Sequence, residues 1–240
     1  MGGIVKRGYV SSDEQEFGPK AIEKLYKAGN DLFYLLNNGY KIKGASIFVG
    51  NHYLLSERQR MALVRVVSSR EAIKIRKNKE ITHDLEGITV NIDGFNTIIT
   101  LEVALSNSLV LKSMDGTIRD LAGLRGTYRL IEQTEVAIIH IFKKLEEYKI
   151  GAAMFYLDAP VSNSGRLKQM ILELSKDFNF KVQVNNINNV DTVLESLENV
   201  ITSDAIILNK CKSSINLNKE IIENKITNCW YVDFSLLHCD

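Results

Sequence analysis

Only two prolines, one tryptophan and three cysteines occur in 240 residues. Cys211, Cys229 and Cys239 are odd in number and fall in no CxxC or other ligand spacing, which excludes a disulfide framework and a zinc site and predicts reduced thiols. No run approaches the ~20 apolar residues that span a bilayer. The opening MGGIVKRGYV has no apolar stretch after its basic residues, so no membrane association is expected and the location is expected to be cytoplasmic. His52, His83, His140 and His238 are scattered, without an i,i+4 partner or a neighbouring cysteine. No Ser-His-Asp set, P-loop or GxGxxG fingerprint is present, which argues against nucleophilic triads, Walker-type NTPases and dinucleotide chemistry.

What is present is charge, unevenly placed. The net charge is only +1, yet residues 1–85 carry 15 Lys+Arg against 9 Asp+Glu (+6), and residues 86–240 carry 15 against 20 (−5). A basic segment joined to an acidic one fits a polyanion-binding module beside a metal-binding module; salt-bridged docking of the two halves is the alternative. Residues 1–85 read as a small, basic, all-helical domain, with a helix-turn-helix-like arrangement as one reading of it. An amphipathic helix runs from Asp13 to an Asn-Asn-Gly stop, a second covers 42–49, and Ser56 caps a third with Glu57 in its first turn. That third helix and its continuation carry Arg58, Arg60, Arg65, Arg70, Lys74, Arg76, Lys77 and Lys79, either a row of phosphate contacts or a solvated face, with a linker expected near 76–86.

From residue 86 strands alternate with helices. Strands are predicted near 88–93, 108–113, 152–157, 180–184 and 200–208, with helices near 97–106, 128–148, 165–177 and 190–198. This alternation specifies α/β, a mainly parallel sheet with helices on both faces. INLNKEIIENKI reads as a further helix, NNINNV as a turn, and CWYVDFSLL as a final edge strand through which a homodimer could form.

Five aspartates sit at or just after predicted strand ends: Asp93, Asp115, Asp120, Asp158 and Asp204. Loops at the carboxyl ends of parallel strands converge, so these acids can become neighbours, and clustered carboxylates call for a hard cation such as Mg²⁺ or Mn²⁺. Asp93 ends an apolar strand and enters Asp-Gly-Phe-Asn, where Gly94 permits a tight turn and Asn96 can orient a carboxylate or a bound water; a simple turn and helix cap is the alternative. Asp158 ends AAMFYLD, and the following Ser162, Asn163, Ser164, Gly165 and Arg166 offer an anion cradle at a helix start, or merely an elaborate N-cap. Asp204 lies in an apolar stretch where an unpaired carboxylate is expensive, so it needs a metal or an arginine, with Arg119, Arg125 and Arg129 as candidates. Asp115 and Asp120 compete for a remaining ligand place, and Glu102 is expected to be exposed or to support the site from behind.

The Asp-Gly-x-Asn after the first strand, the acids on intervening loops and the late Ser-Asp resemble the PIN/NYN-like ribonuclease superfamily over most of residues 86–210. More closely, KGASIFVGNHYLLSERQRMALVR, IDGFN, DGTIRDLAG, LDAPVSNSGRLK and TSDAIIL resemble an uncharacterised prokaryotic family of the domain-of-unknown-function 434 type. The superfamily resemblance implies a PIN-like three-layer domain in which Asp93, Asp158 and Asp204 bind one or two Mg²⁺ or Mn²⁺ ions, with Asp120 or Asp115 as fourth acid. Ser162, Asn163 and Ser164 would hold a phosphate, and Arg58 and Arg60 would contact RNA. The late motif, Ser-Asp-Ala, lacks the second acid of many such nucleases. Two other readings stand beside the nuclease: an RNA-binding or scaffold protein that keeps the fold without turnover, and a haloacid-dehalogenase-like phosphatase. The phosphatase is disfavoured because Asn91 stands where its nucleophilic aspartate is required.

Overall fold

The structure, a computed structural model, describes residues 5–123 and 126–237. The chain begins with five helices: α1 (Asp13–Glu16), α2 (Pro19–Asn37), α3 (Ile42–His52), α4 (Glu57–Val66) and α5 (Arg70–Lys79). Pro19 opens α2 where its missing N–H costs nothing, and Leu25, Ala28, Gly29, Leu32 and Phe33 form a buried stripe at helical spacing. Ser56 caps α4 as expected, with Gln59 completing a reciprocal capping box: each side chain bonds the other's backbone N–H at 3.1 Å. The segment expected to begin as linker at residue 76 is helical to Lys79, because Ser69 caps α5 and starts a new helix.

Then come β1 (Thr89–Asp93), α6 (Gly94–Leu105), β2 (Val110–Lys112), β3 (Ile118–Asp120), α7 (Glu132–Glu147), β4 (Ala152–Asp158), α8 (Ser164–Leu174), β5 (Lys181–Ile187), α9 (Val190–Leu194), β6 (Val200–Ile201), α10 (Ala205–Lys210), α11 (Leu217–Lys225) and β7 (Tyr231–Asp233). The main sheet is parallel in the order β5-β4-β1-β6. Alternate residues face opposite layers. Val90, Ile92, Phe155 and Leu157 pack with Ile98, Phe142 and Leu167 from α6, α7 and α8. Tyr156 and Ile187 face the other way, onto Val190, Leu194 and Ile207 from α9 and α10. The molecule is therefore mixed α/β, a parallel sheet flanked by helices, with a helical region before it.

Two elements differ from expectation. The strand expected in the main sheet near 108–113 instead forms a second sheet, β3-β2-β7, antiparallel to β3 and parallel to β7. Its apolar side, Leu109, Leu111, Val232 and Phe234, completes the core of the helical segment with Leu25, Leu32, Leu63 and Val66. The core of the first 85 residues thus closes on side chains from much later in the chain. The strand expected over 200–208 ends at Ile201, because the Asp204 N–H turns back onto the Thr202 hydroxyl, Ser203 bonds Asn96, and Asp204 caps α10 instead. Gly94 has no left-handed backbone. It is needed because a Cβ there would lie 2.5 Å from Leu157 Cδ2 and 3.1 Å from the Tyr156 carbonyl, where α6 crosses β4.

Candidate active site at the strand ends

β4, β1 and β6 are neighbours, so Asp158, Asp93 and Asp204 lie at one edge of the sheet, at the carboxyl ends of adjacent strands or just beyond. Asp93 is buried. Its Oδ2 accepts from the Thr202 hydroxyl at 2.8 Å and its Oδ1, more weakly, from the Asn96 N–H at 3.4 Å. Burial raises its pKa to about 7; the Thr202 bond opposes this, and the nearby charges of Asp191 and Asp204 add to it. Among the described residues, no lysine or arginine forms an ion pair with it.

Asn96 is itself held: its Oδ1 accepts from the Ser203 N–H (2.8 Å) and hydroxyl (2.9 Å), which ties the start of α6 to the end of β6. Asp204 Oδ1 accepts from the N–H groups of Ile206 (2.7 Å) and Ile207 (3.3 Å). Asp158 is half-buried, and its pKa is raised by burial, partly countered by the Val190 N–H. Asp191, in the first turn of α9, was not singled out from sequence. Burial raises its pKa, and the charges of Asp204, Asp158 and Glu195 raise it further. The strand predicted before it ends near residue 184 and the Asn-rich stretch between reads as a plain turn, so the strand-end pattern does not point to Asp191. Among the described residues, no three His, Cys, Asp or Glu side chains are grouped so as to hold a metal ion.

Asp115 and Asp120 do not join this cluster. Asp115 accepts from Arg76 and Arg119, both at 2.6 Å, and from Ser113 and Thr117. Burial would raise its pKa, but Arg119, those hydroxyls and Arg76 outweigh burial and hold it well below the usual carboxylate range. A carboxylate so fully satisfied is a structural anchor, which removes it as a ligand. Asp120 is buried against the Thr100 hydroxyl (2.8 Å) and the Ala122 N–H (2.8 Å), with Arg65 at 3.9 Å, so it too is engaged internally. Glu102 is fully buried rather than exposed, bonded by Arg7 (2.8 Å), Tyr128 (2.6 Å) and Thr134.

A family model described as "Domain of unknown function (DUF5616)" matches residues 82–220, the stretch that contains Asp93, Asp115, Asp120, Asp158, Asp191 and Asp204. The chain belongs to that family. A model described as "Protein of unknown function (DUF434)" matches residues 24–79, which spans most of α2 and all of α3 to α5. A similar protein, the uncharacterized protein MJ0935 of Methanocaldococcus jannaschii, is 38% identical over 200 residues, covering 82% of this chain and 96% of that one. No solved structure matches.

In this DUF5616 chain part of the basic row of α4 and α5 is engaged within the protein, while Arg70, Lys74 and Lys77 stay exposed. Arg58 pairs with buried Asp13, donating to Asp13 Oδ2 at 2.8 Å, and also reaches the carbonyls of Gly8 and Leu121. Arg60 bonds the Leu55 (2.9 Å) and Gly50 (2.8 Å) carbonyls and the Asn51 side chain, closing the end of α3. Arg76 donates to Asn209 as well as to Asp115, and Lys79 to the Asn209 carbonyl. Arg76 and Lys79 thus dock the two halves of the chain, the alternative for the charge split, whereas Arg58 and Arg60, the expected phosphate contacts, are held mainly by bonds within the first half. We expect Arg58→Glu to destabilise the fold by about 2–3 kcal/mol in urea denaturation, since it strands buried Asp13 beside a like charge.

The Ser162–Arg166 loop is also spent on structure. Ser162 Oγ accepts from the Tyr128 N–H (2.9 Å), and the Asn163 amide donates to the Tyr128 carbonyl (2.6 Å). Ser164 Oγ accepts from Asn186 at 3.4 Å. These groups tether the 126–128 segment, so the expected phosphate cradle is a loop clamp. Arg166 lines a separate shallow hollow with Arg129, Leu130 and Asn163. Arg125 lies outside the described residues; Arg129 offers its carbonyl to Arg7.

The pKa of Asp93 carries a sign that can be measured. A carboxyl raised from 3.8 to about 7 binds its proton more tightly folded than unfolded. Its contribution to stability is therefore complete below pH 3.8 and is lost as pH rises towards 7. Glu102 and Asp120 act in the same direction and Asp115 in the opposite one, so the group is isolated by difference. Without added metal, stability of the wild type relative to Asp93→Asn falls between pH 4 and 7, read as the difference in urea midpoints.

Proposed function

We propose that the chain is a metal-dependent nuclease hydrolysing phosphodiester bonds, with RNA as substrate, at the carboxyl edge of the four-stranded sheet. The observation that carries this reading is Asp93, a buried carboxylate with no basic partner among the described residues and two further acids close enough to raise its pKa. Such a group calls for a cation. The oxygen-only donor set fits Mg²⁺ or Mn²⁺, and Mg²⁺ in particular is commonly held by one or two carboxylates, water and substrate phosphate rather than by a full protein cage. Asp93 and Asp204 would hold the ion, with Asp158 and Asp191 joining through water. When bound, the ion supplies an activated water and charge neutralisation at the phosphate. Thr202 fixes the rotamer of Asp93, and Ser203 fixes Asn96 beside it. A parallel sheet with acids at its carboxyl edge supports the PIN-like comparison, with residues 1–85 as a helical region beside residues 86–240.

One observation favours a second reading, RNA binding without turnover: no three acids form a ready chelate among the described residues. Labelled RNA incubated with Mn²⁺, and separately with a chelator, separates the two. Cleavage only with Mn²⁺ supports the nuclease, retention of intact RNA supports binding alone, and neither result discards both.

A further inference from the structure

A cleft of about 630 Å³ lies between the helical segment and the strand ends. Four exposed apolar side chains reach it from four places in the chain: Tyr40 after α2, Ile42 from α3, Val64 from α4 and Ile206 from α10. Tyr40 is 60% and Ile206 59% exposed, although Ile207, the next residue, is fully buried. Single exposed apolar residues are ordinary; several converging on one concavity with polar groups at its base mark a ligand site, and the volume is within the roughly 300–1,000 Å³ of such sites.

The base of the cleft includes Arg65, Asn96, Arg119, Asp120 and Asp204. Arg119 is spent on Asp115, and Asp120 on Thr100 and Ala122. Asn96 and Arg65 keep donors in reserve. Asn96 gives its Oδ1 to Ser203, and no hydrogen bond from its amide nitrogen is found among the described residues. Arg65 donates through Nη1 to the Asp120 carbonyl and has no bond from Nε or Nη2 there. The cleft therefore offers an aromatic and aliphatic wall, one amide donor and one incompletely paired guanidinium, next to Asp204.

We propose that this cleft seats one unpaired nucleotide, its base against Tyr40, Ile42, Val64 and Ile206, its polar edge on the Asn96 amide and its phosphate at Arg65. A flat π surface needs the apolar wall, and an anion bonded to that surface needs the guanidinium. The helical segment then selects the nucleotide presented to the strand-end acids. This deepens the nuclease reading and rests on it for the polymer, whereas the site itself is tested without turnover.

The test titrates the full chain with each of the four ribonucleoside 5′-monophosphates, and with ribose 5-phosphate, by calorimetry without metal. At least one nucleotide is expected to bind saturably and ribose 5-phosphate far more weakly. Tyr40→Ala and Ile206→Ser alter exposed side chains and leave the fold intact; Tyr40→Ala should weaken binding by roughly 10-fold, the scale of one base–aromatic contact. Absence of nucleotide binding, equal binding of ribose 5-phosphate, or affinity unchanged in both variants would overturn the proposal. Nucleotide binding without RNA cleavage keeps the cleft and removes the nuclease; cleavage without nucleotide binding removes the cleft alone.

Discussion

Asp93→Asn is expected to cut Mn²⁺-dependent RNA cleavage by more than about 100-fold, since even outer-shell partners of metal ligands are worth about 10- to 100-fold. The same substitution should stabilise the metal-free protein. At pH 8 the wild-type carboxylate is ionised in a buried place, and a pKa raised to about 7 sets that cost on the order of 2–4 kcal/mol. Asparagine retains a hydrogen bond to Thr202 without the charge. Opposite effects on activity and stability are the signature of a group kept for chemistry. A variant that loses both together would mark Asp93 as a structural residue. Single-turnover cleavage and urea denaturation, run on the same preparation, read the two effects.

Asp115→Ala should be the most damaging single change to the fold, costing about 3–5 kcal/mol. It would leave Arg76 and Arg119, each more than nine-tenths buried, facing each other without their shared carboxylate, and would strip partners from Ser113 and Thr117. Against a typical total of about 5–15 kcal/mol, that brings the protein close to unfolding at ambient temperature. The damage would also spread. Arg76 joins α5 to α10 through Asn209, so the helix that Asp204 caps loses one of its ties. A urea midpoint shifted by less than the equivalent of about 1 kcal/mol would show that the two arginines find other partners.

The strand-end logic was legible because it depends on a local pattern, an apolar run ending in aspartate, and on one topological rule for parallel strands. It put Asp93 and Asp158 at the ends of adjacent strands and Asp204 just beyond the next one. It could not tell those from Asp115 and Asp120, because the distinguishing fact is which arginines arrive from residues 65, 76 and 119, and that is tertiary. The same limit affected the basic row. Arg58 and Arg60 look like a phosphate ladder on a helix drawn alone, yet Asp13 and the Gly50 carbonyl claim them once α1 and α3 pack. The second sheet was missed because β2, β3 and β7 have three residues each and carry little periodic signal. Ser162 and Asn163 fit both an anion site and a loop clamp, and the difference lies in Tyr128, more than thirty residues away.

If the acids at the sheet edge hold a divalent cation, electron paramagnetic resonance of a Mn²⁺ titration detects that binding without any turnover. The free-ion signal should then be quenched in proportion to wild-type protein at pH 8. That quenching should weaken as pH falls below 7 and Asp93 takes up its proton, and it should be lost in Asp93→Asn. A free-ion signal equally strong with and without wild-type protein, or quenching that survives unchanged in Asp93→Asn, would contradict it.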